Sequence, residues 1–403
     1  MIGYTIAGAF ARSVSVVILP LAISGSWAAA GASEFERTNF VMGTPLKIQV
    51  SGVSKTEAVQ ISEKILASVR KTERRLSTWV ADSELSLLNA SEPGKLSRLS
   101  ADLSRDLENA FSCESWTNRA FSPKLGPLVQ LWELRKKGRW IDLKQLARTD
   151  PSQVLSWASE SSELISKQGA LFWKKNHPLA SLEEGAFGKG VALDDASIGL
   201  IDSAAEVNLS LGGQLKRFGK VRQKKRWVPV ADFRNRDRPL VEVLTAASDV
   251  STSSQTEKSF EDGGKIFGHI LDPRTGAPSA AQGSMTVFTG QGWLADCLST
   301  GFFVLDPAEA VMLWKQARLQ NKAWARDVEW LWIGPDVGMK PAGGPSRGVA
   351  AGRGVAEDAI AAAGGSTPDV LTRKPGIRAR ASCGLKDRIR FLGPKFPIQW
   401  QGC

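Results

Sequence analysis

The chain has 403 residues, 52 Lys+Arg against 41 Asp+Glu, a formal net charge of +11 and only two histidines, His177 and His269. Two imidazoles so far apart exclude a three-His zinc site, an H-E-x-x-H helix and a C2H2 finger. Any metal must therefore be held through oxygen, which favours hard ions such as Mg²⁺ or Ca²⁺.

Residues 1–32 read as a secretory signal peptide: Arg12 is the only charge, an apolar run Ser13–Ile23 follows, and A-x-A patterns fill Ala28–Ala32. The run is too short to span a membrane and no Cys follows it, so the mature chain is expected to be exported, an uncleaved anchor being the alternative. Export permits disulfides. Cys383 and Cys403 share the C-terminal segment and can pair, whereas Cys113 and Cys297 fall in helical patterns and read as buried thiols.

Phe40–Val50 predicts a strand, with Leu46, Ile48 and Val50 alternating. Ser54-x-x-Glu57 is a capping box before a helix bearing Ala58, Ile61, Ile65 and Val69. Asp82–Asn89 predicts a short helix, and Ser100 caps another with Leu103, Leu107, Ala110 and Phe111 on one face. Gly190–Ala204 predicts a helix and Glu206–Leu211 a strand ending at Gly212-Gly213. The basic run Lys216–Arg226 reads as a solvated hairpin or loop in preference to a nucleic-acid site; it suits an anionic membrane surface or acidic target. Trp227–Ala231, Met285–Thr289 and Val328–Ile333 predict strands; Leu294–Leu305 and Ala308–Arg318 predict helices parted at Asp306-Pro307. Helices and strands mix without strict alternation, so the expected class is α+β. One domain is expected over residues 33–337, then a Gly/Ala/Pro-rich linker (338–376) and a tail (377–403) with renewed apolar character.

Several segments concentrate Gly, Asp and Thr where loops meet elements. Met42-Gly43-Thr44 opens a strand, and Phe121–Trp132 (FSPKLGPLVQLW) forms a rigid corner. Glu183–Asp194 (EEGAFGKGVALD) sets three glycines and Lys189 at a helix start, where N–H groups favour phosphate oxygens; it lacks Walker A spacing. His269–Gly276 reads HILDPRTG, and Leu294–Thr300 reads LADCLST. Asp296 and Thr300 share a helix face, so they either reach one Mg²⁺ or serve the helix end and backbone. His269 is the only imidazole near these segments: it either moves a proton or shapes its loop. Asp272 competes for the first role and, before Pro273, for a turn role.

Taken in order, these segments resemble the ApbE family, the FAD:protein FMN transferases. Ser77–Asn89 (STWVADSELSLLN) and Leu209–Gln214 (LSLGGQ) add two further motifs, and the likeness runs from about Phe40 to Ile333. The resemblance implies the family's α+β fold, with mixed sheets flanked by helices and a flavin cleft. It implies FAD beside one or two Mg²⁺ ions, with Asp296, Thr300 and the carbonyl of Ala186 as metal ligands. Met42, Trp79, Ala120, Phe121, Ser122, Glu183, Lys189 and Leu271 fall where the family contacts FAD, and Trp79 and Phe121 offer aromatic faces. The implied reaction transfers FMN from FAD to a Thr of a target protein with release of AMP. Implied targets are periplasm-facing subunits of Na⁺-translocating NADH:quinone reductase, Rnf-type complexes or related respiratory regulators.

The chain departs from the family pattern where carboxylates are usual: Ser122, Glu183 and Gln214 each replace an Asp, and Thr252–Thr256 (TSSQT) stands for T-S-G-D-Y. Two readings therefore accompany the first: an FAD pyrophosphatase with water as acceptor, and a non-catalytic FAD-binding accessory protein.

Overall fold

The computed structural model describes residues 34–132, 134, 155–156, 162–220, 224–255, 259–262, 265–336 and 377–401. The expected signal peptide and linker lie outside them.

Strands β1 (Phe35–Val41) and β2 (Thr44–Ser51) precede α1 (Lys55–Leu76), α2 (Glu84–Asn89), β3 (Leu96–Arg98), α3 (Ala101–Trp116) and α4 (Gly126–Leu131). Then come β4 (Ser162–Lys167), β5 (Ala170–Lys175), α5 (Gly188–Ser197), β6 (Glu206–Leu211) and β7 (Gln214–Gly219). Strands β8 (Arg226–Asp232), β9 (Asn235–Thr245), β10 (Asp249–Ser254), β11 (Ser259–Asp262), β12 (Lys265–Gly268) and β13 (Ser284–Thr289) follow. After them lie α6 (Gly292–Val304), α7 (Pro307–Leu319), α8 (Ala323–Arg326), β14 (Glu329–Pro335), β15 (Ile377–Ser382), β16 (Ile389–Phe391) and β17 (Ile398–Gln401).

This is the α+β class read from the sequence, organised on a nine-stranded sheet of order β1-β2-β6-β7-β10-β13-β14-β15-β17. One face of its first half packs Leu46, Ile48, Val50, Val207 and Leu209 against Ile61, Ile65 and Val69 of α1 and Ala192, Leu193 and Ala196 of α5. Farther along, Met285, Val287, Trp330 and Trp332 pack under α3, α6 and α7. On the other face Phe288, Leu331 and Ile333 meet Val228, Val230, Val241 and Val243 of the small β16-β9-β8 sheet. Every residue of β13 is therefore buried, because both faces of the strand are covered.

Several sequence expectations change. Phe40–Val50 is not one strand: it takes in the end of β1, the Met42-Gly43 turn and most of β2, and the two strands pair from Phe35↔Val50 to Val41↔Thr44. Both turn residues take positive φ, 50° at Met42 and 69° at Gly43, which folds the chain back on itself. Helix α5 stops at Ser197, short of the expected Ala204, as Ile198 turns extended and Gly199 left-handed. The basic run is not a solvated loop at its start. Lys216 and Arg217 are buried in β7, because Asp194, Asp249 and Glu206 supply countercharge that the run itself lacks. The C-terminal tail, in keeping with its renewed apolar character, docks onto the sheets: β15 pairs with β14, β17 with β15, and β16 with β9.

The cysteine reading also changes. Cys113 of α3 and Cys297 of α6 form a disulfide, Cα–Cα 6.5 Å, where the sequence read two buried thiols. Helical periodicity places each sulfur in the core but is silent on which other helix meets it. Cys383 is disulfide-bonded as well; Cys403, its expected partner, lies outside the described residues.

Charge ties the helices beneath the site. Arg75 of α1 donates to Asp106 of α3 (2.7 Å) and Asp195 of α5 (2.6 Å), and Arg105 adds bonds to the same two carboxylates. Burial lowers the Arg75 pKa, but Asp106 and Asp195 outweigh it and hold the guanidinium above its ordinary value.

Candidate active site

The site forms where the first turns of α5 and α6 cross. Neither helix has a side-chain cap at its own N-cap residue, Phe187 or Gln291. Each borrows one from the other. Asp296 Oδ2 of α6 accepts the Gly190 N–H of α5 at 3.1 Å. Asp194 of α5 accepts the N–H groups of Gly292 (2.8 Å) and Trp293 (2.9 Å) of α6. Carboxylates suit these positions because the first-turn N–H groups are unsatisfied and the helix dipole is positive there.

Asp296 is 3% exposed. Its Oδ1 faces Lys189 Nζ at 3.6 Å, longer than a direct hydrogen bond, and Lys189 also reaches the Gly185 carbonyl at 3.4 Å. One turn on, Thr300 Oγ1 donates to the Asp296 carbonyl (3.2 Å) and lies 3.1 Å from Ser253 Oγ of β10. Ser253 also meets Ser299, which donates to Ser251, so a ladder of hydroxyls joins α6 to β10. Among the described residues no three His, Cys, Asp or Glu side chains converge as a metal cluster. A set of one carboxylate, one hydroxyl and one carbonyl is of a different kind. Asp296 Oδ1 and Thr300 Oγ1 keep lone pairs, and with the Ala186 carbonyl they would make an all-oxygen set whose chemistry fits Mg²⁺.

The expected flavin contacts divide by burial. Met42 caps the hairpin turn: its N–H donates to Glu73 Oε1 (2.7 Å), and its Cε lies 3.6 Å from where a Cβ on Gly188 would stand. Glu183 is joined to the residue 77–83 loop by Thr78 Oγ1 at 3.0 Å, and Thr78 also bonds the neighbouring Glu184. Trp79 of that loop is 60% exposed. Phe121 is different from its expected stacking role: its ring is buried edge-on against Phe187, 6.4 Å between centroids. Ala120 and Leu271 are also buried, so the side chains of these three present almost no surface to a ligand. The Ser122 hydroxyl donates to Glu114 at 2.6 Å, and Glu114 in turn pairs with Lys124, so a buried carboxylate stands eight residues before the position where the family has its Asp.

The His269–Gly276 loop is pinned from two sides. Gln255 donates to the carbonyls of Ile270 (2.8 Å) and Ser279 (3.0 Å) and accepts the Ile270 N–H (2.9 Å). Trp132 Nε1 donates to the Gly276 carbonyl at 2.7 Å. Sequence reasoning passed over Gln255 because it noted only a lost Asp there. His269 is half-buried just before the clamped residue. Both oxygens of Asp272 are engaged by the Arg274 guanidinium at 3.0 and 2.8 Å, a pairing that raises the Arg274 pKa and fixes the turn. His177 lies elsewhere, its Nδ1 accepting the Leu179 N–H. A depression of about 620 Å³ between the start of α1 and residues 199–203 contains none of the residues expected to bind flavin or metal.

The fold is that of flavin transferases of the ApbE type. An ApbE protein from Thermotoga maritima superposes with a TM-score of 0.64 at 23% identity, over 74% of this chain and 94% of that one. The flavin transferase ApbE of Vibrio cholerae gives 0.59 at 20% identity, over 76% and 94%. The ApbE family matches residues 42–323, so the chain belongs to that family. Curated relatives agree: it is 27% identical to an FAD:protein FMN transferase of Klebsiella pneumoniae over 73% of this chain and 85% of that protein. It is 27% identical to one of Treponema pallidum over 92% of each.

Proposed function

We propose that this ApbE-family chain is an exported FAD:protein FMN transferase that uses Mg²⁺ to move FMN from FAD to a Thr hydroxyl of a target redox protein, releasing AMP. The observation that carries the reading is the pairing of Asp296 and Thr300 on one face of α6 beside Lys189 and the start of α5. The family's curated relatives supply the reaction class.

Asp296, Thr300 and the Ala186 carbonyl would hold the ion, which, when bound, neutralises pyrophosphate charge and eases departure of the AMP phosphate. Lys189 adds a positive charge at the start of α5, where the helix dipole also favours phosphate oxygens. Trp79 offers a stacking face for a flavin or adenine ring. His269 accepts the Thr proton as the Thr oxygen bonds to the FMN phosphorus and the phosphoanhydride bond to AMP breaks. Asp272, bound up by Arg274, serves the loop that presents His269. A disulfide between Cys113 and Cys297 suits an oxidising compartment such as the periplasm. The acceptor class we favour is a periplasm-facing subunit of a Na⁺-translocating NADH:quinone reductase, an Rnf-type complex or a related respiratory regulator.

Incubation with FAD, Mg²⁺ and a Thr-bearing target, followed by in-gel flavin fluorescence and an AMP assay, tests this. Labelled target with AMP supports transfer, AMP without label supports a pyrophosphatase, and bound FAD with neither product refutes both. Asp296→Ala is expected to abolish labelling.

A further inference from the structure

The cap that Asp194 provides to α6 is itself held from below. Lys216 of β7 donates to Asp194 Oδ1 at 2.7 Å and to both oxygens of Asp249 of β10, at 3.1 and 3.0 Å. Lys216 is 5% exposed and Asp249 fully buried. Gln214, two residues before Lys216, donates to the Gly292 carbonyl at 2.9 Å. The first turn of α6 is thus fastened at its N–H groups by Asp194 and at its first carbonyl by Gln214.

A Ser or Asp at position 291 would cap the first turn locally, at Trp293 or Leu294, and leave the helix free to shift against the sheet. Burying two carboxylates and an ammonium instead is costly unless each is paired. Here they are paired, and the pairing runs sheet to α5 to α6. It ends one turn before Asp296, whose own oxygen closes the circuit on Gly190 of α5.

We infer that Asp194, held by Lys216, is a positioning residue for Asp296: it sets where the Asp296 carboxylate stands relative to Lys189 and the Ala186 turn, and so sets the affinity of the site for its cation. The inference rests on the metal role proposed for Asp296.

The test uses the purified protein and the variants Asp194→Asn and Lys216→Met. FAD binding is followed by flavin fluorescence at stepped Mg²⁺, bound Mn²⁺ by electron paramagnetic resonance, and the fold by near-UV circular dichroism. Loss of a group behind a metal ligand weakens metal affinity by ~10-fold or more, so both variants are expected to need ~10-fold more Mg²⁺ for half-maximal FAD binding while keeping the wild-type spectrum. A merely structural role would lower the melting temperature and leave the Mg²⁺ midpoint of the folded protein unmoved. Unmoved midpoints in both variants, beside a Mg²⁺-dependent wild type, overturn this inference alone. A wild type whose FAD binding ignores Mg²⁺ overturns the metal reading and this inference together.

Discussion

Gly190 and Gly292 meet backbone to backbone where α5 crosses α6: a Cβ on Gly190 would stand 2.2 Å from the Gly292 carbonyl oxygen, and one on Gly292 2.6 Å from that of Gly190. No side chain fits between them, and this closeness is what lets Asp194 and Asp296 reach across to the opposite helix. Gly190→Ala must push the helices apart. Overpacking of this kind costs about 1–3 kcal/mol, and the Asp296–Gly190 hydrogen bond should lengthen with it. Urea unfolding gives the first effect and Mg²⁺-dependent FAD binding the second. A variant as stable and as active as wild type would mean that the crossing is looser than described.

The Cys113–Cys297 bridge joins α3 to the residue beside Asp296, across a sequence separation of 184. Closing so long a loop restricts the unfolded chain, and loss of a native disulfide commonly costs about 2–5 kcal/mol. Cys113→Ala/Cys297→Ala is expected to lower the melting temperature and to make it insensitive to reductant at this site. Identical melting with and without the pair would remove the bridge from the stability argument.

Asp249 gives a pH prediction. Burial pushes its carboxyl from 3.8 up to about 6, with Lys216 opposing and Asp194 adding to the rise. Burial also lowers Lys216, but Asp249 and Asp194 outweigh it and hold the ammonium above its ordinary pKa. Arg226, itself depressed to about 10 by burial and by Arg217, is a further charge in this neighbourhood. A folded pKa above the unfolded one means that the native state keeps a proton the unfolded state has released. The stabilisation from this group is therefore full below pH 3.8 and is lost as pH rises through about 6. Asp249→Asn should flatten that part of the stability–pH curve. Urea midpoints across this range check it, and parallel curves for the two proteins would contradict it.

His269 and Gln255 separate chemistry from positioning. His269→Gln is expected to lower transfer by ~10²–10⁴-fold, the usual range for a lost general base, with FAD affinity retained. Gln255→Ala removes three hydrogen bonds to the loop and should lower stability by about 1–3 kcal/mol as well as slow transfer. Single-turnover labelling and flavin fluorescence titration read the two effects apart. If His269→Gln transfers FMN normally, the proton leaves by another route.

Much of this protein is legible in one dimension. Spacing of three and four placed Ile61, Ile65 and Val69 on the buried face of α1, and Ser54 and Ser100 were read as helix caps because capping is a local bond. The Asp306-Pro307 break is the start of α7, with its capping box intact. Motif order alone led to the family. Asp296 and Thr300 could be paired from sequence because one helical turn separates them. What sequence could not decide involves partners distant along the chain. Lys216 and Arg217 looked solvated until β7 brought them to Asp194, Asp249 and Glu206. Cys113 looked like a lone thiol until α3 met α6, and Phe121 looked available for stacking until Phe187 closed over it. Helix periodicity and capping act over a few residues and are written locally. Charge burial, disulfide pairing and the exposure of an aromatic face depend on which distant element arrives, and only the folded chain decides that.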